Sequence, residues 1–373
     1  MRDPMHRVAA VLTKARQATG RSLRIAGELR AAAHAHHAPL HRVALRAVRM
    51  QRRGWWLADL GPLGLLDPRT GPDVERWAAC PGDLTRLQEQ LNPADAISTA
   101  EDKGLFAEIC ERHGIPTPPV LATLARGANH HETVRAWAGA LADAAPEEFV
   151  VKPVDGHRGI GVRVLRRTPR GAVDHVGEAS SWMELAQSLT SERWPAFIVQ
   201  PRYHPHPDLL ALSGRDVLQT ARVVTLRERD GELRVLMTIL RIAVGALPID
   251  SFRSGSTRNA LATVSPEGVT TATYQLVESG FGITPMPVHP VTGAPTVGVQ
   301  LPEWDAVLAL VTRAAEAFAP LRAVGWDVAI TDQGVVLLEA NAWWAISSYP
   351  DGSSLRVLAD LRHAVDEETR RAA

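Results

Sequence analysis

The segment from Gly325 to Asn341 admits few folds. Two apolar runs, Trp326 to Ile330 and Val335 to Glu339, flank the turn residues Thr331, Asp332, Gln333 and Gly334. That pattern predicts a β-hairpin. Asp327 and Glu339 then lie near the same end, opposite the turn. Glu339 and Asn341, two apart on an extended strand, face the same side. Two carboxylates and an amide oxygen converging from adjacent strands are hard donors of the kind Mg²⁺ accepts, and Mg²⁺ leaves its remaining positions to water and phosphate. An ordinary hairpin with solvated acids has the same pattern, so other features must decide.

Lysine usage is the next feature. Of 41 Lys plus Arg, three are Lys: Lys14, Lys103 and Lys152. A chain that drifts this far to Arg keeps Lys where a slim point charge is needed in place of a planar fork. Lys103 opens a helical pattern after Asp102. Lys152 ends a strand-like run from Phe149, and Gly156, Gly159 and Gly161 follow before a second strand at Val162 to Leu165. Glycine lets backbone N–H groups approach an anion closely. The order strand, Lys, Gly-rich loop, strand is neither a Rossmann fingerprint nor a Walker A loop. Alone, it also fits a hairpin with a flexible tip.

Taken in order, these pieces resemble the ATP-grasp superfamily, and within it the sugar-transfer-associated branch. The resemblance runs from Leu91, Asn92 and Pro93 through Asp102 to Phe106, Gly114 to Pro118, Val151 to Pro153 and the glycine loop. It continues with Ile198 to Pro201 and Thr220 to Thr225, and ends with Gly325 to Asp327 and Leu338 to Trp343.

The resemblance implies an α+β architecture, the ATP-grasp fold, in which two α+β subdomains clamp ATP. Residues 91–201 would form the first subdomain with its glycine-rich lid, and 202–373 the second with the Mg²⁺ hairpin. Residues 1–90 would be a basic helical segment and connector. Lys103 and Lys152 would contact phosphates under a lid of Gly156, Arg158, Gly159 and Gly161. Gln200 and Arg202 would form the adenine hinge, and Asp208 would reach ribose. Pro201 has no N–H, so the amide of Arg202 or Tyr203 must donate there. Asp327, Glu339 and Asn341 would hold Mg²⁺. Arg222 and Arg241 would stabilise phosphoryl or acyl-phosphate charge, because a fork of donors suits clustered oxyanions.

The implied reaction is ATP- and Mg²⁺-dependent joining of a small-molecule carboxylate to an amine through an acyl phosphate, in polysaccharide or natural-product biosynthesis. The same grip serves a small-molecule kinase, or a non-catalytic nucleotide-binding partner. The intact Lys, Mg²⁺ and glycine positions argue against the latter, whereas nothing in the sequence excludes the kinase. Ser251, Arg253, Ser256 and Arg258 lie on a Ser- and Gly-rich loop that would cover the substrate and hold its anionic group. Ser251 and Ser256 depart from the family's Asn and Gly, Gln200 stands where many members have an acid, and Trp344 replaces a small residue or Pro.

Bulk properties agree with a nucleotide enzyme. The 373 residues are 45% hydrophobic, and 41 acids balance 41 bases, so no specific nucleic-acid partner is expected. The two cysteines, Cys80 and Cys110, form no disulfide framework, which suits a reducing cytoplasm. No apolar stretch is long enough to span a membrane, since about 20 residues are needed. A homodimer stays open as an assembly.

The N-terminal region differs. From Met1 to Trp56, twelve Lys or Arg face two acids, Asp3 and Glu28. Val8, Leu12, Leu23, Ile25 and Leu29, then Val43, Leu45 and Val48, predict two amphipathic helices parted near Pro39. Docking on the chain's own body is favoured over contact with a partner, RNA or an anionic surface. His34, His36, His37 and His41 match no zinc spacing and are expected to be solvated. Further helices are expected at Leu84 to Leu91, Asp102 to His113, His131 to Ala144, Ser181 to Leu189 and Pro302 to Leu321. Strands are expected at Ala196 to Gln200, Arg222 to Leu226 and Leu233 to Val244.

Overall fold

The segment from Ala323 to Thr331 is apolar but for Gly325, Asp327 and Thr331, and every one of its residues is buried. The computed structural model describes residues 23–69, 78–156, 159–346 and 352–372. Among them are thirteen strands in two sheets. The first holds β1 (Ala122–Ala125), β2 (Glu148–Pro153), β3 (Arg163–Thr168), β4 (Gly171–Asp174), β5 (Ala179–Ser181) and β6 (Ala196–Pro201), ordered β1-β6-β2-β3-β4-β5. The second holds β7 (Thr220–Arg227), β8 (Leu233–Ile242), β9 (Ala260–Val264), β10 (Thr270–Leu276), β11 (Ile283–Pro285), β12 (Ala323–Thr331) and β13 (Gly334–Asn341). Its order is β11-β10-β9-β8-β7-β12-β13.

Helices cover these sheets where their apolar stripes allow. Val134, Trp137 and Leu141 of helix His130–Ala144, with Leu185 and Leu189 of Trp182–Ser191, pack on Phe149, Val151, Leu165 and Phe197 of the first sheet. A capping box between Ser181 and Glu184 fixes where the second of these helices starts. The second sheet is covered on both faces. Val324, Trp326, Val328 and Ile330 pack with Val307, Leu310 and Val311 of helix Trp304–Ala317. On the other face Val224, Leu226, Met237 and Ile239 meet Leu84, Leu87 and Leu91 of Pro81–Leu91, and Val357 and Leu361 of Ser353–Ala372. Each such side chain contributes roughly 1.5–3 kcal/mol by leaving water. Gly325 and Asp327 alternate with the apolar residues of β12 and therefore project from the opposite face.

Several expectations need correction. The boundary expected at residue 91 does not separate the cores: Ala96, Ala100, Phe106, Cys110 and Ile115 pack within the second sheet's core, not the first's. Asn92 explains why, because its amide donates to Ala323 O at 2.9 Å and its oxygen accepts from the amides of Arg322 and Ala323. Strands β1, β4, β5, β9, β10 and β11 were not expected, nor the helices Pro207–Ser213 and Ser353–Ala372.

The N-terminal region makes a small core of its own. A helix over 23–35 and the helix Leu40–Arg52 bring Ala32, Val43, Ala47 and Met50 against Trp55, Leu60 and Leu65, with Phe281 of the β10–β11 turn packed beside them. Val8 and Leu12 lie outside the described residues. Leu45 and Val48, expected on the apolar face, are exposed. His36 is buried, not solvated: its ring lies 5.8 Å from that of Phe281 and 3.8 Å from Asp67, and burial lowers its pKa. No helix among the described residues is long and apolar enough to cross a membrane.

Candidate functional site

Antiparallel register sets the site. Arg222 of β7 stands opposite Asp327 of β12, and Asp327 opposite Glu339 of β13. Gly325 stands opposite Asn341. Arg241 of β8 lies two residues beyond Ile239, the partner of Arg222. All five therefore project from one face of the sheet. That face looks into a cavity of about 750 Å³, within the range of small-molecule sites. The first sheet closes its far side with Val150, Lys152, Val164, Gln200 and Pro201.

Asp327 is the electrostatic centre. Its carboxylate accepts from Arg222 Nε and, at 2.9 Å, from Arg222 Nη2. Arg241 Nη2 reaches both oxygens at 3.1 Å. Burial disfavours its charge, yet the two guanidiniums outweigh burial and hold its pKa at about 2. Arg241 behaves reciprocally: burial opposes its charge, and Asp327 and Asp250 more than compensate, raising its pKa. Asp250 takes the amide and hydroxyl of Thr220 on one oxygen, at 2.8 and 2.5 Å. Burial pushes the pKa of Asp250 up despite Arg241.

The fit to Mg²⁺ rests on what remains available. Glu339 and Asn341 both line the cavity. Asn341 spends its NH₂ on Gly325 O at 3.3 Å, which leaves its carbonyl oxygen to accept or coordinate. One carboxylate and one amide oxygen side by side at the cavity wall fit Mg²⁺, which takes few protein ligands. Asp327, expected as the third ligand, has both oxygens engaged by arginines and joins only by releasing one of them.

Lys152 enters from the first sheet. Burial pushes its pKa down, the nearby Glu339 pulls it up, and Lys103 pushes it down again. The two lysines and Glu339 are thus close. Lys103 does not line the cavity; its ammonium donates to Gly156 O at 3.0 Å and so ties down the glycine loop. Its helix, Lys103–Arg112, starts there because Asp102 caps the amides of Gly104 and Leu105. Gly161 shows why glycine is needed in the loop: φ is +77°, and a Cβ would lie 2.7 Å from Pro153 Cγ and 2.9 Å from Trp194 Nε1. Of the loop, Gly159 lines the cavity, Gly156 and Gly161 do not, and Arg158 lies outside the described residues.

The expected hinge and substrate residues divide. Gln200 lines the cavity, but its amide is spent on Pro118 O at 2.7 Å. The amide of Arg202 donates to Glu148 O, and its guanidinium pairs with Glu148 and Asp216, which leaves the Tyr203 amide as the candidate adenine donor. Asp208 sits exposed beside His206 and does not line the cavity. Ser251 and Arg253 line it, whereas Ser256 and Arg258 do not. The Arg253 guanidinium donates to Gly159 O, which joins the loop to the lid at the cavity's edge. The loop itself is braced: Thr257 Oγ1 donates to Ser251 O at 2.6 Å, and Asn259 Nδ2 to Ile249 O at 2.8 Å.

Sequence reasoning gave no role to Glu101 or Thr220, and to Asp250 only that of an ion-pair partner for a substrate-side arginine; all three contribute to the site. Glu101 lines the cavity and accepts from the amides of Ala342 and Trp343, fixing the chain just after Asn341. Its place two residues before Lys103 carried no signal. Trp344 also finds its reason: its indole donates to Ala323 O at 3.2 Å, and it packs where a Cβ on Gly325 would lie 2.7 Å from its own.

A family model described as sugar-transfer associated ATP-grasp matches residues 84–362. Solved structures with a similar chain course include biotin carboxylase from Campylobacter jejuni, 11% identical, covering 74% of this chain and 48% of that one, TM-score 0.41. The present chain thus spans about half the length of that protein. D-alanine–D-alanine ligase from Bacillus anthracis is 12% identical over 76% of this chain and 72% of its own, TM-score 0.41. D-alanyl-alanine synthetase A from Vibrio cholerae is 12% identical over 76% and 74%, TM-score 0.43. No curated protein matches the sequence.

Proposed function

Because the chain belongs to the sugar-transfer associated ATP-grasp family, we propose that it joins a carboxylate to an amine at the expense of ATP, through an acyl phosphate. The observation that carries this reading is the row Arg222, Asp327, Glu339 across three strands, with Lys152 facing it over one cavity. An ammonium, two guanidiniums and two free oxygen donors in one enclosed space suit a polyphosphate with its metal and an acidic co-substrate.

The residues then have separate roles. Lys152 draws in phosphate oxygens, and their negative charge favours the ammonium form that burial disfavours. Arg222 and Arg241 offset charge on the transferring phosphoryl group; Asp327 holds both forks in place beforehand, so that little reorganisation is needed. Glu339 and Asn341 would hold Mg²⁺, which when bound neutralises phosphate charge as it shifts. A carboxylate oxygen attacks the γ-phosphorus, the bond to the bridging oxygen breaks, and ADP leaves. The amine nitrogen then attacks the acyl carbon, loses a proton, and phosphate departs. Lys103 and Arg253, by fastening Gly156 and Gly159, keep the lid closed over the reactive acyl phosphate and exclude water.

The test is to incubate the protein with ATP, Mg²⁺, and panels of acids and amines, following ADP and phosphate. Release of both, dependent on acid and amine together, is expected. ADP release driven by a hydroxyl compound with no free phosphate would replace this reading with a kinase.

A further inference from the structure

The cavity has a second character that the phosphate chemistry does not use. On the second sheet its ionic residues sit on β8, β7, β12 and β13, but the same face continues over β9, β10 and β11 as Leu261, Tyr274 and Ile283. Leu261 is the register partner of Arg241, and Tyr274 the partner of Leu261. At about 4.8 Å per strand, the apolar floor therefore begins one strand from Arg241 and extends about 14 Å from β8, to Ile283 on β11. Further apolar lining comes from residues that precede the family-matched region: Trp55, Trp56 and Leu63. That lining is anchored by the packing of the N-terminal core on Phe281.

We infer that this apolar end seats the body of the acid substrate, and that the acid carries a flat apolar ring instead of a sugar or a free amino acid. The inference rests on the ligase reading for the direction of the carboxylate, towards Arg222 and Arg241. Its ground is the state of the polar groups along the wall. Gln88 spends its amide on Trp344 O at 2.8 Å, and Thr85 its hydroxyl on Pro81 O at 3.1 Å. One Glu101 oxygen is taken by two backbone amides. Asp59 and Tyr274 each have an interaction of their own with the rest of the chain. A polyol placed here would give up water and find few replacements, at roughly 1–3 kcal/mol for each stranded hydroxyl. An aromatic ring loses nothing comparable, and Trp56, half exposed at 51%, offers it an unspent face.

Calorimetric titration of the intact protein, with Mg²⁺ and a non-hydrolysable ATP analogue present, tests this with three probes: 3-phenylpropanoate, D-glucuronate and L-alanine. The phenyl acid should bind at least about tenfold more tightly than either other probe. Trp56→Ala should weaken it about five- to tenfold, Trp56→Phe should restore most of that loss, and nucleotide affinity should not change. Equal or tighter binding of glucuronate or alanine, no binding of the phenyl acid, or no effect of Trp56→Ala overturns the inference. Binding as expected, without ADP release when amines are added, would remove the ligase reading and leave the apolar seat standing. Ligation of a sugar acid would do the reverse.

Discussion

Asp327→Asn separates a clamp for arginines from a simple metal ligand. The wild-type carboxylate is buried and accepts four hydrogen bonds from two guanidiniums. Lowering of its pKa from 3.8 to about 2 corresponds to about 2–3 kcal/mol in favour of the charged form. Removing one partner of a buried pair usually costs about 3–5 kcal/mol, because the partner charge is left behind. Arg241 retains Asp250 at 4.0 Å, so the lower end of that range applies, about 3 kcal/mol. Thermal unfolding should move down by about 4–10 °C. Glu339→Gln provides the control: its carboxylate lies near Lys152 but lacks the paired guanidiniums that hold Asp327, and a smaller loss of about 1 kcal/mol is expected. Both variants should lose ATP turnover. If Asp327→Asn is no less stable than Glu339→Gln, the carboxylate is not held by the arginines and its place as the centre of the site is wrong.

Other perturbations reach the remaining parts of the site. Lys152→Arg should cut ATP turnover about 100-fold or more despite keeping the charge, since a planar fork does not replace an enclosed ammonium beside Glu339; a wild-type rate in steady-state assays would show that any cation serves. Deleting residues 1–51 removes Ala32, Val43, Ala47 and Met50 from the N-terminal core and should lower the melting temperature without changing affinity for RNA or anionic vesicles; salt-sensitive binding lost on deletion would assign the basic segment to such a partner. Asp327 has a folded pKa below its ordinary value, so its stabilisation is complete above pH 3.8 and is lost as pH falls through about 2. Acid titration of stability should therefore be flatter in Asp327→Asn than in the wild type across that window, and parallel curves would argue against the pairing.

What the sequence disclosed and what it hid have physical reasons. The hairpin β12–β13 was legible because a turn and two apolar runs lie within one short window, and the helix Lys103–Arg112 because Asp102 caps it locally. Strands β4 and β5, four and three residues long, carry too few alternations to stand out. Asp327 was read with Glu339, its near neighbour in sequence. Its partners Arg222 and Arg241 lie 105 and 86 residues away and arrive only through the order β8-β7-β12. Arg253 was singled out by its place on the Ser- and Gly-rich loop, but its bond to Gly159 O, 94 residues away, could not be read from that loop alone. The aromatic wall could not be read at all, because Trp55 and Trp56 reach the cavity only once the N-terminal core has packed on Phe281.

Acyl-phosphate ligation is tested most directly by following oxygen. An acid selected by the binding titrations, labelled with heavy oxygen in both carboxyl positions, is turned over with ATP, Mg²⁺ and an amine, and the released phosphate is analysed by mass spectrometry. Attack of a carboxylate oxygen on the γ-phosphorus carries one labelled atom into each phosphate when the amine displaces it, and that transfer is the predicted result. Unlabelled phosphate, or ADP accompanied by a stable phosphoester and no phosphate, would contradict it.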